Sequence, residues 1–449
     1  MTFISRTLGS ICDEVRGTIR TGPFGSQLHE SDYQEVGTPV VMPKNIVDGK
    51  VSTDGIARIG DDNVHRLSQH QLHYGDIVYG RRGDIGRRAL ITEREKGWLC
   101  GTGCLRISLG SKLLYPKFLY YYLGHPQVVA WITNQAIGAT LPNLNTTIIR
   151  SIQINYPPLP TQHKIATILS AYDDLIENNT RRIAILEEMA QSIYQEWFVR
   201  FRYPEYEKDK MVDSELGMIP EGWRIVRLEE IAGVNLQSIK KGQEPEFINY
   251  VDINSVSIGQ VNNMENMLFS EAPGRARRIV KHGDIIWSMV RPNRRSYSLI
   301  INPADNTIVS TGFAVISAEK VPFTYLYLAL TTDIFVNYLT NHTTGAAYPA
   351  VNSSDFLSAQ ITLPPENLLC SFHHLVASIF LQKQNLRQKN LVLRLTRDLL
   401  LPKLISGEID AEALDIDIPT LIKPKEHQQD PITARPEPID ATQLALPLS

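Results

Sequence analysis

The chain has 449 residues, 43% of them hydrophobic and 21% charged, with a formal net charge of −3. That length suits about three domains, and the absence of a signal pattern or a bilayer-length apolar run leads to the expectation of a soluble cytoplasmic protein without a membrane partner. Four scattered cysteines (Cys12, Cys100, Cys104, Cys370) exclude a disulfide framework, and Cys100 and Cys104 lack the second Cys or His pair of a zinc site, so both are expected as small buried residues.

Residues 1–158 alternate short apolar runs with Gly, Asn and Pro turns and predict a mixed α/β unit. Its landmarks are "VVMPKNIVDGKV" (40–51), "HYGDIVYGRRGDIGRRALI" (73–91), "GTGCLRISL" (101–109), an aromatic-rich amphipathic helix at 116–132, "GATLPNLN" (138–145) and "INYPPLP" (154–160). From Ile165 the apolar positions then step by four and three through Leu169, Tyr172, Ile176, Ile183, Leu186, Ala190, Ile193 and Trp197, with one polar slot at Asn179. This heptad seam predicts a long helix over 159–201. A polar connector follows at 202–223.

Residues 224–366 repeat the first unit. "YVDINSVSIGQV" (250–261), "KHGDIIWSMVRPNRRSYSLI" (281–300), "STGFAVISA" (310–318), an aromatic helix at 322–339, "GAAYPAVN" (345–352) and "ITLPPEN" (361–367) match the landmarks at offsets between 206 and 210. So constant an offset indicates one unit used twice. A second helix, 367–406, carries Ile379, Leu386, Leu393 and Leu400 at intervals of seven, flanked by Leu375, Val376, Leu391, Val392 and Leu404. Matched heptads at equivalent ends of two repeats predict that the helices pack antiparallel as a coiled coil about a pseudo-twofold axis. The alternative is two helices lying separately on globular cores. The fold class is therefore α+β: two repeated mixed α/β domains joined by two long antiparallel helices. The acidic, Pro-rich tail, 407–449, has no hydrophobic period and is expected to be disordered.

The net charge conceals an asymmetry. The tail carries nine acids and three bases, which leaves +3 on the remainder. Residues 274–295 hold seven Lys/Arg against one Asp, and residues 81–88 hold four Arg against one Asp. Arg81, Arg82, Arg87 and Arg88 in the first unit, and Arg291, Arg294 and Arg295 in the second, follow the same Gly-Asp-Ile phrase. Arginine forks onto phosphate and onto guanine, and amides suit adenine, so Asn45, Asn143, Asn145, Asn254 and Asn352 are the matching amide candidates. Ser26, in the glycine-rich "RTGPFGSQL" (20–28), suits a phosphate approach. Lys44, Arg278 and Tyr348 complete the candidate DNA-binding set. Singly, each is more often a solvated charge or a turn residue; two patches at equivalent places in a duplicated fold favour duplex DNA.

Catalytic signatures are missing. There is no P-loop, and no G-x-G-x-x-G opens a helix. "NYPP" (155–158) differs from the adenine-methyltransferase motif because Tyr156 separates Asn155 from the prolines, which read instead as the start of a helix. No His/carboxylate cluster suggests a metal, and His373-His374 read as a solvated pair.

The chain resembles the specificity subunits of Type I restriction–modification enzymes. The resemblance is carried above all by "PPLPTQHKIATILSAYDDLIENNTRRIAILEEMAQSIYQEWFVRFRYP" (157–204), followed by "GMIPEGWRIVRLEEIA" (217–232). "GPFGSQL" and "GDIVYGRRGDIGR" add to it. The second helix departs from the family pattern in lacking the Pro-x-x-x-Gln opening. The resemblance implies two target-recognition domains, each reading half of a bipartite site on double-stranded DNA. It also implies helices that dock two methyltransferase (modification) subunits, to which motor–nuclease (restriction) subunits add. It further implies a non-catalytic chain with no cofactor of its own, S-adenosylmethionine, ATP and Mg being bound by the partners. The other readings weighed are a coiled-coil adaptor without sequence-specific DNA binding, the specificity part of another restriction-type system or of a single-chain restriction–methylation enzyme, and an enzyme acting on a small substrate.

Overall fold

The computed structural model describes residues 3–24, 27–83, 85–135, 144–345 and 348–416. Two compact units emerge, Met1–Tyr172 with Thr396–Ser449, and Asp173–Leu395. The division falls within both long helices, so each unit combines one globule with a stretch of both.

The first unit contains an antiparallel sheet ordered Thr18–Thr21, Cys104–Ser108, Ile77–Gly80, Arg88–Leu90. A second, mixed sheet is ordered Leu99–Cys100, Thr38–Val41, Ala57–Ile59, Tyr33–Gln34, its first two strands parallel. Ile4–Thr7 and Gln153–Tyr156 close the globule as an antiparallel pair. The second unit repeats this plan. Its antiparallel sheet is ordered Ala232–Val234, Phe313–Ala318, Ile285–Ser288, Tyr297–Leu299. Its mixed sheet is ordered Glu265–Leu268, Phe247–Val251, Thr307–Ser310, Ala276–Ile279, the central two parallel. Arg224–Arg227 pairs with Gln360–Leu363. The duplication read in the sequence thus extends to strand order and direction in the antiparallel sheets and in three strands of each mixed sheet, while the fourth strand, Tyr33–Gln34 in the first unit and Ala276–Ile279 in the second, lies on opposite edges.

The first long helix spans Leu159–Tyr194 and runs on into a π turn, Gln195–Val199. The second spans Glu366–Ser406. Both begin directly after a Pro-Pro pair, whose fixed φ and missing N–H suit a helix start. Gly407, at φ +80°, ends the second helix in the left-handed conformation open to glycine.

Within each unit the two helices pack together. In the first, Ile165, Ala166 and Leu169 share a core with Leu401, Leu404 and Ile405 and with Leu8, Ile11 and Phe118 of the globule. In the second, Ala190 and Tyr194 meet Phe372, Val376 and Ile379. The direction follows from two polar pairs: Asn179 Nδ2 donates to Asn390 Oδ1 at 2.9 Å, and Lys383 Nζ pairs with Glu187 Oε1 at 2.8 Å. Moving forward on one helix means moving back on the other, so the pairing is antiparallel, as the matched heptads predict.

Two details differ from the sequence expectation. Leu375, Leu391 and Val392 do not line the second helix's seam; they are 46, 52 and 60% exposed. Buried Lys383 and Asn390 occupy seam positions instead. A reading that follows only apolar residues passes over polar groups satisfied across the helix pair. The tail also begins ordered. Ala411 is buried, Ile409 packs on the first core, Thr161 Oγ1 donates to Glu412 Oε1 at 2.9 Å, and Lys164 Nζ donates to the carbonyls of Glu412 and Leu414. These contacts offset the low hydrophobicity up to Ile416; residues 417–449 lie outside the described residues.

Candidate nucleic-acid interface

The Gly-Asp-Ile phrase is a strand-starting turn, and it is built identically in both units. Gly75 and Gly283 adopt φ of +83° and +88°. Each following carboxylate, Asp76 or Asp284, is buried and accepts the backbone N–H three residues back, from His73 or Lys281, at 2.8 Å. Burial raises the Asp284 pKa above its ordinary value, against bonds from Ser317 and the Lys281 backbone that favour the carboxylate. Ile77 and Ile285 then enter their strands fully buried. The phrase recurs because it starts a core strand; what it positions lies at the far end of that strand.

There, loops converge. In the first unit the Arg81 N–H donates to Gly103 O, and the Leu144 N–H donates to Arg81 O. A Cβ on Gly103 would stand 3.2 Å from Pro43, and Thr102 Oγ1 donates to Pro23 O at 2.8 Å. Loops around residues 23, 43–45, 81–83, 85–87, 101–103 and 144 therefore share one end of the globule. In the second unit Met289 N–H donates to Gly312 O, Val351 N–H to Met289 O, and Arg291 N–H to Pro349 O. Ile253 Cδ1 closes on Gly312. The same loop set gathers again, around 253–255, 289–296, 311–312 and 348–352.

The candidates separate within this frame. Lys44, Arg82, Arg87, Asn254 and Arg294 are exposed. Arg291 lies 4.6 Å over the ring of Tyr348, itself 68% exposed, a cation–π pair on the loop surface. Arg291 and Arg295 flank the 3₁₀ turn Pro292–Arg294 with left-handed φ of 50° and 55°. Two non-glycine residues in that region on one short loop mark stored strain, a feature concentrated at functional sites. Arg295 is drawn sideways into an ion pair with Asp333. Arg81 Nε donates to Leu144 O at 2.9 Å, and burial followed by the Arg82 charge lowers its pKa.

Other candidates are occupied by the fold. Arg88 lies on the strand Arg88–Leu90, donates from Nε to Tyr120 O at 2.7 Å and stacks on the Tyr120 ring at 4.8 Å, which makes it a packing strut. Asn45 is 1% exposed and its Oδ1 accepts the Met42 N–H, which takes its amide out of reach. Its 3₁₀ turn, Pro43–Asn45, aligns with Ile253–Ser255, so Asn254 corresponds to Lys44 rather than to Asn45. Asn145 and Asn352 are helix N-caps, accepting from Ile148 N and Ser354 N. Capping accounts for this amide in both repeats. Arg278, on the strand Ala276–Ile279, has a buried Nε without a partner, and burial lowers its pKa. Ser26 and Asn143 lie outside the described residues.

Among the described residues no group of His, Cys, Asp and Glu could hold a metal, and no helix is long and apolar enough to cross a membrane. Cys100 and Cys104 are buried core residues, as expected. His373 is only half-buried in solvent terms and bonds Thr324 Oγ1 at 3.0 Å, so it is not the solvated partner of His374 that its position suggests.

Residues 7–188 and 220–368 each match the family described as Type I restriction modification DNA specificity domain. The chain is 28% identical over 391 residues to the Type I restriction enzyme MjaIX specificity subunit of Methanocaldococcus jannaschii, covering 85% of this chain and 89% of the relative. It is 21% identical to the Type I restriction enzyme HindI specificity subunit of Haemophilus influenzae, over 75% of this chain and 86% of the relative. The crystal structure of the Type I restriction-modification system S subunit from M. genitalium shares the fold, with a TM-score of 0.53 at 17% identity over 90% of this chain and 96% of that one. The chain belongs to the Type I restriction–modification DNA specificity family, whose domain it carries twice.

Proposed function

We propose that each unit reads one half of a bipartite site on double-stranded DNA, and that the chain itself catalyses no step. The observation that carries this reading is the convergence of the same loops in both units, each bearing exposed basic side chains, joined in the second unit by the amide of Asn254. The reading surfaces are Lys44, Arg82 and Arg87 in the first unit, and Asn254, Arg291, Arg294 and Tyr348 in the second. Methyl transfer with S-adenosylmethionine, and ATP- and Mg-dependent cleavage, belong in this scheme to the modification and restriction subunits.

The helix pair supplies the docking face for the methyltransferase subunits. In the second unit it leaves Leu175, Ile185 and Met189 of the first helix, with Leu391, Val392 and Leu395 of the second, between 48 and 60% exposed. That much apolar side chain on a solvent face marks a partner surface. Glu177 and Arg181 form an ion pair beside it. Glu187, placed on the outer face by its heptad position, turns instead to Lys383 in the seam.

The test is methyl transfer by the chain assembled with its methyltransferase subunits, on DNA pools randomised in each half-site. Arg82→Ala should relax choice in one half alone and Arg294→Ala in the other, each by about tenfold per base where the contact is bidentate. A phosphate contact would instead lower affinity evenly and flatten the salt slope. Both variants altering one half-site, or methyl transfer by the chain without partners, would overturn the reading.

A further inference from the structure

In the second unit, the exposed 3₁₀ turn that holds Asn254 runs straight into a two-stranded hairpin, Val256–Ser257 with Gln260–Val261. The hairpin's tip, Gly259, is held by the long helix rather than by its own globule alone. Arg387 Nη2 donates to Gly259 O at 2.8 Å. One helical turn earlier, Lys383 forms its ion pair with Glu187. Gly259 has φ +67°, and a Cβ there would stand 2.7 Å from Glu187 Oε1 and 3.1 Å from the Tyr327 hydroxyl. The tip is thus fitted against a charged cluster that spans both helices. From the tip, one residue leads to Ile258, which bridges to Tyr297 at the end of the arginine-bearing loop. Both surfaces assigned above to base reading therefore hang from one short hairpin, and that hairpin is fastened by a guanidinium on the helix.

The first unit fastens its equivalent hairpin differently. Ile46–Val47 pairs with Lys50–Val51, Gly49 sits at the tip with φ +78°, and the Tyr120 hydroxyl of the globule's own helix, Pro116–Tyr122, donates to Gly49 O at 3.4 Å. Tyr120 and Tyr327 occupy equivalent places in their helices. Duplication kept the tyrosine, and the second unit adds the arginine.

We propose that Arg387 is a positioning residue for DNA specificity, setting the hairpin 256–261 and through it the loops that read the second half-site. The arrangement makes reading in the second unit depend on the helix pair. The buried guanidinium has a purpose that stability alone does not require. Its Nε is buried without a partner, and burial lowers its pKa, so the helix keeps a group whose desolvation is incompletely repaid.

The inference rests on the half-site reading proposed above, and the experiment separates the two. The full chain is assembled with its methyltransferase subunits, and methylation is measured on DNAs with single mismatches in either half, the second half being the one relaxed by Arg294→Ala. Arg387→Met should reduce discrimination in the second half by about tenfold, because a base fork tolerates little displacement. Discrimination in the first half and the melting temperature should be unchanged. Gly259→Ala, which displaces the hairpin while leaving the helix intact, should give the same one-sided loss and serves if Arg387→Met does not assemble. Unchanged or two-sided discrimination in both variants would overturn the role of Arg387 while the half-site reading stood. A wild-type complex blind to mismatches in one half would overturn both.

Discussion

At the level of single side chains, arginines in one burst of sequence divide by what their guanidinium groups meet. Arg88 serves the fold: its guanidinium bonds Tyr120 O, covers the Tyr120 ring, and fills the space a side chain on Gly124 would need. Arg88→Ala should cost about 1–3 kcal/mol, since it removes a charged donor from a part-buried carbonyl. Arg82→Ala should leave the melting temperature of the chain unchanged and alter DNA selection instead. Thermal melts of the two variants check this, and equal destabilisation would make the two arginines one structural cluster. The repeated asparagine divides in the same way. Asn352 accepts the Ser354 N–H while Asp355 accepts the Asn352 N–H, a reciprocal cap. Asn352→Ala should therefore cost about 0.5–2 kcal/mol, and Asn352→Ser or Asn352→Asp much less. A base-reading role would give the opposite ordering: unchanged melting and altered DNA choice in all three variants.

At the level of elements, the paired helices show how a seam can be specified by its imperfections. Asn390 Nδ2 lies 3.2 Å from Thr180 Oγ1 and 3.3 Å from Ile176 O, and its Oδ1 accepts from Asn179. A polar group satisfied only in one register costs stability and selects that register. Changing Asn179 and Asn390 together to Leu should raise the melting temperature while broadening the pairing, visible as new disulfide partners when single cysteines are placed along both helices. Retention of a single cross-linking pattern would show that the apolar seam alone sets the register. Long-range order was legible wherever a physical period recurred. The heptads of Ile165–Trp197 identified the first helix, and the constant offset between repeats identified the common strand plan. Lys383 was hidden because its partner, Glu187, lies almost two hundred residues away, and a lysine in a heptad reads as solvent-facing. The candidate loops were legible through Arg82, Arg294 and Tyr348, which face solvent. Asn45, Asn145 and Arg88 were assigned to them because a cap, a turn acceptor and a stacked guanidinium are written with the same letters as a base contact.

At the level of the whole molecule, the two units differ in what alkaline solution does to them. Tyr194, Tyr325 and Tyr327 of the second unit are buried in one core, and burial raises all three pKa values above the ordinary 10.0. Tyr297, in the same core, is pushed up to about 12. Each keeps its proton in the folded state at a pH where the unfolded chain has lost it. Their contribution is complete below pH 10 and is lost as pH rises above it, by about 1.4 kcal/mol per tyrosine per pH unit. In the first unit Tyr122 and Tyr115, which share one core, are raised by burial as well, whereas Tyr325 and Tyr327 of the second stand well above the ordinary value. Between about pH 10 and 11.5 the second unit should therefore lose stability faster, so that the melt resolves into two steps. Trp197, Trp223 and Trp287 report on the second unit, and Trp98 and Trp131 on the first. The expected result is an early alkaline transition in which tyrosinate absorbance rises together with exposure of Trp287. It should leave the fluorescence of a Trp98-only variant unchanged. Simultaneous loss of both reporters would mean that the continuous helices bind the units into a single cooperative fold.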